Sequence, residues 1–400
     1  MNYKILGDYI RKVDNKNKDL KVLNLQGLSM TKEFRKSTSN IVGTDLSKYK
    51  IVKQRQFCCD FMSVIRVHKL PVVLNNLSED VIISPAYIVF EVIDTSVLLP
   101  EYLMLWFRRT EFDRYADFRC DSSIRGGFQW EELCEVELPI PSIEKQREIV
   151  AQYEAVTNKI KVNEAICEKL EATAQALYKQ WFVDFEFPND EGQPYKSSGG
   201  DMVFNEELEK EIPEGWEVKS FTEIIKLTGG GTPSTDIQQY WNGKIPFFTP
   251  ADISKSYYSI DTLKYITELG LKESSTKLYP KNTIFITARG TVGAIGMASK
   301  DMAMNQSCYA IKDNLPFFTH QKTLDVIEKL KGEAVGAVFS ALVTKDFEQQ
   351  IIIEPTDILK DTFNRVIKGS YDLLLNKSLE NQKLTQLQSL LLSRLATLEE

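Results

Sequence analysis

The fold is decided by Pro141-Ser142-Ile143-Glu144-Lys145-Gln146-Arg147-Glu148-Ile149-Val150 and by the segment that returns at an offset of 214, Pro355-Thr356-Asp357-Ile358-Leu359-Lys360-Asp361-Thr362-Phe363-Asn364. A strand-like run precedes each proline, at 136–140 and at 351–354. A Ser or Thr then stands at the N-cap position, with an acidic residue close behind it to suit the helix dipole. Two long helices are therefore predicted, each directly after a strand.

Both predicted helices carry a heptad-like apolar stripe. At roughly 40 residues and ~1.5 Å per residue, each would be a rod of about 60 Å. One such helix alone would expose its stripe, whereas two can bury their stripes against each other, most simply in antiparallel order. The alternative is that each helix packs only on its own domain. The positions predicted to pair are Tyr153, Val156, Ile160, Leu170 and Leu177 in the first helix and Ile367, Leu374, Leu384 and Leu391 in the second, the latter face being broadened by Val366, Leu373 and Leu387.

The regions before the helices also repeat, in outline. Leu6–Ile10 corresponds to Phe221–Ile225, and Val81–Phe90 corresponds to Met302–Ile311. Short β-rich runs bounded by Gly, Pro and Asn predict a twisted sheet in each region. The stretch 188–215, rich in Pro, Gly, Asp and Glu, reads as a loop or linker. The predicted fold class is α+β, with two β-rich globular domains separated by two long helices that form an antiparallel coiled coil.

Composition excludes several classes of protein. No run approaches the ~18 apolar residues of a membrane span, and the start does not resemble a secretory signal. The six cysteines contain no C-x-x-C pair and read as reduced thiols, so we expect a cytoplasmic protein. The two histidines, His68 and His320, have no neighbour at metal-ligand spacing, and we predict no metal and no cofactor.

The charge is uneven along the chain. The net charge is −7, which argues against a simple nucleic-acid binder. Residues 1–70, however, hold 15 Lys and Arg against 6 Asp and Glu, and residues 216–345 hold 15 against 12. The acidic residues concentrate in 191–215 and 346–400. The predicted globular regions are thus neutral to basic.

A series of short motifs resembles the target-recognition domain of type I restriction–modification specificity subunits. The residues that carry the resemblance are Gly229-Gly230-Gly231-Thr232-Pro233-Ser234, Tyr240-Trp241-Asn242-Gly243-Lys244-Ile245-Pro246-Phe247, Thr249-Pro250-Ala251-Asp252-Ile253, Thr287-Ala288-Arg289-Gly290-Thr291-Val292-Gly293 and Asn305-Gln306-Ser307-Cys308. Pro139-Ile140-Pro141, Gln146-Arg147-Glu148-Ile149 and Lys179-Gln180-Trp181-Phe182-Val183-Asp184-Phe185 resemble the conserved helix of the same family. The resemblance covers almost the whole chain.

The resemblance implies domain bounds and partners. Residues 1–140 and 216–354 would be the two target-recognition domains, 141–187 and 355–400 the conserved helices, and 188–215 the linker. Each domain would read one half of a split, asymmetric target in double-stranded DNA. The helices would act as spacer and docking surface for two methyltransferase subunits, with restriction–translocase subunits joining for cleavage. Two readers at a fixed distance agree with the way dimer geometry sets half-site spacing elsewhere.

Candidate DNA contacts are residues with cationic, hydroxyl or amide side chains in these domains. In the second domain they are Thr232, Ser234, Lys255, Arg289, Asn305 and Gln306; in the first they are Lys32, Arg35, Lys36, Lys53, Arg55, Arg66 and Arg125. A solvated basic face is the alternative for the first domain. The glycines at 229–231 could present backbone N–H groups to a phosphate or simply make a tight turn.

Catalytic motifs are missing from the sequence. There is no Asn/Asp-Pro-Pro-aromatic tetrapeptide of an adenine methyltransferase, and Gly290–Gly296 has neither dinucleotide-loop nor P-loop spacing, so it reads as a hairpin or bulge. A non-catalytic DNA-reading subunit is the predicted function. The alternatives are a protein-binding coiled-coil scaffold that has lost DNA reading and an enzyme with an unrecognised site.

Overall fold

The computed structural model describes residues 3–37, 43–120, 128–333 and 341–397. The chain divides into two compact units, one formed by 1–159 with 384–400 and the other by 160–383. Both division points fall inside a long helix, so each helix contributes residues to both units. In the described ranges, no helix is long and apolar enough to cross a membrane.

The first unit combines short strands with four short helices. The strands are β1 (Tyr3–Ile5), β2 (Ile10–Val13), β3 (Gln26–Leu28), β4 (Phe34–Lys36), β5 (Lys50–Val52), β6 (Phe57–Cys59), β7 (Val72–Leu74), β8 (Val81–Ile83), β9 (Ile88–Val92) and β10 (Glu137–Pro139). The helices are α1 (Val64–Val67), α2 (Pro100–Phe107), α3 (Thr110–Arg119) and α4 (Trp130–Cys134), followed by the long helix α5 (Ile143–Phe182).

The second unit has the larger set of strands. They are β11 (Met202–Asn205), β12 (Lys210–Pro213), β13 (Glu217–Ser220), β14 (Leu227–Gly229), β15 (Trp241–Phe248), β16 (Tyr258–Ser259), β17 (Tyr265–Ile266), β18 (Leu278–Tyr279), β19 (Ile284–Thr287), β20 (Ile295–Ala298), β21 (Met302–Met304), β22 (Cys308–Ile311) and β23 (Ile351–Glu354). The helices are α6 (Phe221–Ile224), α7 (Glu268–Lys272), α8 (Pro316–Glu333), α9 (Thr344–Glu348) and the second long helix α10 (Asp357–Arg394).

The two domains share a strand order. The first contains a sheet in the order β2-β9-β6-β7, and the second contains β14-β22-β19-β20-β16. In each domain the first strand pairs antiparallel with the last, β1 with β10 and β13 with β23. Both predicted correspondences fall on equivalent elements, since β8 and β9 match β21 and β22, and a helical turn follows both β1 and β13. The outline repeat is therefore confirmed at the level of topology.

The domains are less purely β-rich than the sequence predicted. Helix α2 is almost entirely buried, and α8 buries ten of its residues. A short apolar run such as Leu103–Phe107 reads equally well as a buried strand or a buried helix, because periodicity cannot separate the two. The chain is accordingly a mixed α/β protein.

The long helices begin where the sequence predicted. The Gln146 amide donates to the Ser142 carbonyl (3.0 Å), and the Lys360 amide donates to the Thr356 carbonyl (3.1 Å), closing the first turn of α5 and α10. Helix α5 ends at Phe182, earlier than the predicted bound at 187. The chain turns away there because Phe185 has a φ of +63° and packs its buried ring against Trp216.

Within each unit, residues of α5 and α10 share a core. In the first unit Tyr153 packs in the same cluster as Leu392 and Leu395, and Gln388 donates to the Thr157 hydroxyl (2.7 Å). In the second, Leu170 and Leu177 pack against the cluster that contains Ile367 and Leu374. The remaining stripe residues are half-buried: Val156, Ile160, Leu384 and Leu391.

The face of α10 is narrower than predicted. Val366, Leu373 and Leu387 were expected to widen its buried stripe, but all three are exposed, Val366 to 55%. They lie beside the stripe rather than within it, because Phe363, Ile367, Tyr371 and Leu374 already fill the inward side of the helix.

The stretch 188–215 is not a plain linker. Strands β11 and β12 form an antiparallel hairpin, and Ile212 is buried in the core of the second unit. Tyr195 stacks on Phe187 with ring centroids 4.4 Å apart. The Pro- and Gly-rich composition correctly indicates the turns of this segment. It does not indicate that Ile212 and Tyr195 pack against the core.

The core of the second unit encloses a polar cluster. Gln321 on α8 donates to the Tyr371 hydroxyl (2.7 Å), which lies 2.7 Å from Nδ1 of the fully buried His320. Which of these two atoms donates depends on the tautomer of the imidazole. Burial lowers the pKa of His320 to about 3.

This depressed pKa predicts acid sensitivity of the second unit. Because the folded pKa of about 3 lies below the ordinary histidine pKa of 6.5, the unfolded state binds the proton first as pH falls. Stability should decrease from pH 6.5 downward, by at most ~1.4 kcal/mol per pH unit from this group. Scanning calorimetry across pH 7 to 4.5 should show a shallower decrease for His320→Gln. His68→Gln, at an exposed side chain of the other unit, is the matched control and should keep the wild-type slope.

Candidate nucleic-acid interface

Three loops of the second unit meet at one end of its sheet, and we call them the three-loop surface: 229–234, 288–294 and 305–307. The Gly231 amide donates to the Met304 carbonyl (3.1 Å), and the Thr232 hydroxyl donates to the Gln306 side chain. The amides of Ala288 and Arg289 donate to the Ser307 carbonyl (2.8 and 3.3 Å). Four predicted residues, Thr232, Arg289, Asn305 and Gln306, are thereby brought into one region.

The glycine turn of this surface has no room for a side chain at two of its three glycines. A Cβ at Gly230 would stand 2.0 Å from the Asn305 carbonyl oxygen, and one at Gly231 would stand 2.2 Å from the Ser275 hydroxyl. Gly229, in contrast, has open space around it. The close backbone approach at Gly230 and Gly231 does more than form a turn. It packs the 229–234 loop against the segment that carries the Asn305 and Gln306 side chains.

Arg289 projects from the loop between β19 and β20. Its side chain is exposed, while positive φ angles at Gly290 (+82°) and Gly293 (+70°) let the loop reverse direction. The Ala294 amide donates to the Thr287 hydroxyl (2.9 Å) across the base of the loop. The strands on either side pair antiparallel, so the interpretation of Gly290–Gly296 as a hairpin is confirmed.

The other two predicted residues of this domain are Ser234, at the end of the 229–234 loop, and Lys255, on a separate loop. Ser234 is exposed, and its carbonyl accepts from Trp241 Nε1 (3.0 Å). Lys255 is exposed on the loop that leads to β16. The neighbours of Lys255 on that loop, Ser256 and Tyr257, bond to the Glu171 carboxylate on α5 at 2.9 and 3.0 Å. Burial of that carboxylate raises the pKa of Glu171.

Lys32 has a structural role in the first unit rather than the predicted contact with DNA. Its ammonium is 5% exposed, bonds the Asp113 carboxylate at 2.7 Å and donates to the Phe107 carbonyl. Burial lowers the pKa of Lys32, and Asp113 opposes that shift. An ammonium held in this way is not accessible to a phosphate.

Equivalent loops of the first unit carry a different cationic set. Arg66 lies on α1, inside the connection between β6 and β7 that corresponds to the Arg289 loop. Arg35 and Lys36 are exposed on β4. Burial raises the pKa of Tyr87, and the positive charges of Arg35 and Arg66 partly oppose that shift. Lys50 donates to the Tyr87 carbonyl (2.7 Å). Tyr87 and Lys50 are not among the predicted residues; the alignment of Val81–Phe90 with Met302–Ile311 is the signal that points to the loop of Tyr87.

The remaining predicted residues of the first unit occupy another turn. Lys53 and Arg55 are exposed between β5 and β6, and Arg55 bonds Glu101 on α2 at 2.9 Å. Arg125 lies outside the described residues. Among the described residues, no group of three His, Cys, Asp or Glu side chains could hold a metal ion.

Comparison with known proteins finds similarity to type I restriction–modification specificity proteins, both for the second domain and for the whole chain. Residues 213–360 match the family described as type I restriction modification DNA specificity domain. The chain is 29% identical over 324 residues to the type I restriction enzyme MjaIX specificity subunit of Methanocaldococcus jannaschii, covering 74% of this chain and 68% of that protein. The second domain thus matches the type I restriction modification DNA specificity domain, and the chain as a whole is similar to specificity subunits of type I restriction enzymes.

Other specificity subunits are similar to more of the chain. The type I restriction enzyme HindI specificity subunit of Haemophilus influenzae is 25% identical over 380 residues, covering 80% of this chain and 82% of that protein. The crystal structure of the type I restriction–modification S subunit from M. genitalium has a TM-score of 0.58 at 12% identity, over 100% of this chain and 96% of that one. At that identity the likeness concerns the fold alone.

The geometry of the glycine turn gives a direct test. Gly230→Ala should displace the 229–234 loop from Asn305 and cost about 1–3 kcal/mol, as overpacking does. Gly229→Ala is the matched control, since its new methyl group meets open space. Hydrogen exchange at 231 and 305–308 should accelerate in the first variant and stay unchanged in the second. Equal protection in both variants would contradict the close approach.

Proposed function

We propose that this chain is the non-catalytic DNA-reading subunit of a type I restriction–modification complex. The match of residues 213–360 to the specificity domain and the similarity of the chain to specificity subunits carry the proposal, and the three-loop surface supplies the chemistry. Exposed guanidinium, hydroxyl and amide groups on backbone-anchored loops are the groups that contact phosphates and base edges. Residues 1–140 and 216–354 are the two reading domains, while 141–187 and 355–400 supply the helices.

The target is a split sequence with two different halves. The two domains share strand order, but their equivalent loops differ in chemistry. One domain presents Arg289 on a glycine hairpin, and the other presents Arg66 on the short helix α1. One presents Asn305 and Gln306 between its β21 and β22, and the other presents Tyr87 before β9. Different donor and acceptor groups read different bases, so the target is asymmetric.

Helices α5 and α10 form one antiparallel coiled coil that sets the spacing between the half-sites. Two hydrogen bonds support this pairing: Gln388 to Thr157 (2.7 Å) and Asn163 to Asn381 (2.8 Å). As the residue number rises on α5 it falls on α10, which is antiparallel order. The Asn163 side chain is fully buried and that of Asn381 is half-buried, and a polar amide contact within an apolar seam is a known means of fixing register.

The partners are double-stranded DNA, two methyltransferase subunits and restriction–translocase subunits. The exposed apolar residues of α10 support docking of a protein partner on this helix, since they lie outside the buried stripe: Ile358, Val366, Leu373, Leu379, Leu387 and Leu390. Exposed apolar surface rimmed by charge is typical of protein interaction sites. The methyltransferase subunit is the occupant we assign to it.

Arg289 provides the test of DNA reading. The complex with its methyltransferase subunits should methylate adenine in one bipartite, asymmetric sequence, mapped across a genome by sequencing that detects methylation. Arg289→Glu should abolish methylation of that sequence. In binding assays Arg289→Ala should reduce the slope of log affinity against log salt by about one, because one phosphate contact is lost.

Lys281→Glu is the matched control for the Arg289 variants. Lys281 is exposed just before β19, and Arg289 lies just after it, so the two side chains stand at opposite ends of one strand. The control should retain motif methylation. If the complex binds DNA without any sequence preference, or if methylation proceeds without this chain, the scaffold function replaces the reading function.

Assembly with the methyltransferase is tested on α10. Val366→Asp with Leu373→Asp should weaken association at least tenfold, because both apolar side chains would be covered in the interface, while the melting temperature of the free chain changes little. Lys368→Asp, on the same helix, is the control. Association constants can be measured by analytical ultracentrifugation, and unchanged association of the double variant would place the docking surface elsewhere.

A further inference from the structure

A small pocket with aromatic walls lies beside the glycine turn of the second domain. We call it the aromatic pocket, and its lining residues are Thr235, Trp241, Asn242, Leu263, Lys264 and Tyr265. Its volume is about 230 Å³, below the ~300–1,000 Å³ of sites for drug-sized ligands. The space therefore suits a single flat ring system rather than a larger molecule.

The polar atoms of its aromatic walls are already engaged. Trp241 Nε1 donates to the Ser234 carbonyl (3.0 Å), and the Tyr265 hydroxyl donates to Asp261. Phe247 supports the Trp241 ring at near right angles, with centroids 5.4 Å apart. With their N–H and O–H groups used, the two rings offer the pocket mainly π surface, which favours stacking over hydrogen-bonded recognition.

A backbone irregularity sets the position of Trp241. The register of β15 against β17 breaks between Trp241 and Ile245, and Asn242 has a φ of +61°. A Cβ at Gly243 would stand 2.3 Å from the Ile266 carbonyl oxygen. Bulges of this kind redirect side chains next to functional sites, and residues at positive φ cluster there. Trp241 is consequently placed by a specific local structure.

Cationic and apolar side chains border the pocket. Lys264 Nζ lies 5.7 Å from the Trp241 ring centroid, and Lys300 Nζ lies 6.0 Å from that of Tyr265. Leu263 is 79% exposed at the rim. A ligand that combines a flat π system with an anionic group matches aromatic walls beside lysines, and a nucleotide has both parts.

We propose that the aromatic pocket receives one unstacked nucleobase of the DNA strand that passes the three-loop surface, with Lys264 and Lys300 at the adjoining phosphates. The proposal rests on the DNA-reading function above. The pocket adjoins that surface directly, since Thr235 lines it and the preceding Thr232 and Ser234 belong to the 229–234 loop. Leu263 fills the gap that the base leaves, as apolar side chains do when they separate base steps.

The test uses the complex with its methyltransferase subunits and duplexes of the mapped target, each carrying one mismatch. A mismatched base costs less to unstack, so binding tightens wherever the bound state holds that base outside the helix. The methylated adenine should show this effect through the methyltransferase itself. A mismatch at one further position of the target should also tighten binding, because this chain holds that base in the aromatic pocket. Trp241→Ala should remove the tightening at this second position alone, which is a loss of about tenfold in affinity.

Two further variants guard against a folding defect. Trp241→Phe keeps an aromatic wall and should retain most of the tightening at the second position. Lys264→Ala changes an exposed side chain and should weaken it several-fold, so it decides the matter if Trp241→Ala does not fold. Lys272→Ala, an exposed lysine on α7, is the control and should leave it unchanged.

The outcomes separate the two proposals. Specific binding with tightening only at the methylated adenine overturns the base pocket and leaves the reading function intact. A second position that persists in Trp241→Ala and Lys264→Ala also overturns the pocket. Absence of specific binding to any duplex overturns the reading function itself.

Discussion

The pairing of the first strand of each domain with its last strand is the constraint on which the structure depends. Strand β1 pairs with β10, and β13 pairs with β23. A proline or two then ends the strand, and a long helix begins within a few residues. In the second unit a buried ion pair between Lys322 and Glu354 adds to this junction, with Lys360 of α10 also bonded to Glu354. The junction thus anchors the start of each helix to the domain that precedes it.

This arrangement separates two jobs within each domain. The first and last strands of each domain pair with each other. Main-chain hydrogen bonds hold this pair, and such bonds form with many different side chains. The loops between the inner strands carry the candidate DNA-contacting groups. Those loops differ in length and chemistry between the two domains although the strand order is the same. A stable frame with variable loops is a common way for one fold to support different specificities.

The features predicted well from sequence are local ones. The starts of α5 and α10 follow from a proline and a capping hydroxyl residue. The hairpin at Gly290–Gly296 follows from its glycines. Each of these depends on residues within one or two turns of chain, where the physical rules are strongest.

The features that escaped prediction depend on distant partners. The basic segment around Lys32 predicts a DNA contact, but Lys32 pairs with Asp113, which lies far along the chain. The close approach of Gly230 to Asn305 also joins separate segments. Val366 and Leu373 fit an apolar stripe by spacing, but the inward side of α10 has room for only part of that stripe. Periodicity marks which residues are apolar, not which of them a neighbour covers.

The long separation of the paired segments also bears on how the chain folds during synthesis. Tyr3 pairs with Pro139, so the β1–β10 pair cannot form until the whole first domain has left the ribosome. The apolar stripe on α5 waits longer, since its partners Ile367, Leu374 and Leu395 are made roughly 200 residues later. Contacts of such high sequence separation form slowly. Helix α5 therefore lacks its α10 partner throughout synthesis of the second domain, and an exposed apolar stripe of this kind makes a nascent chain prone to aggregation.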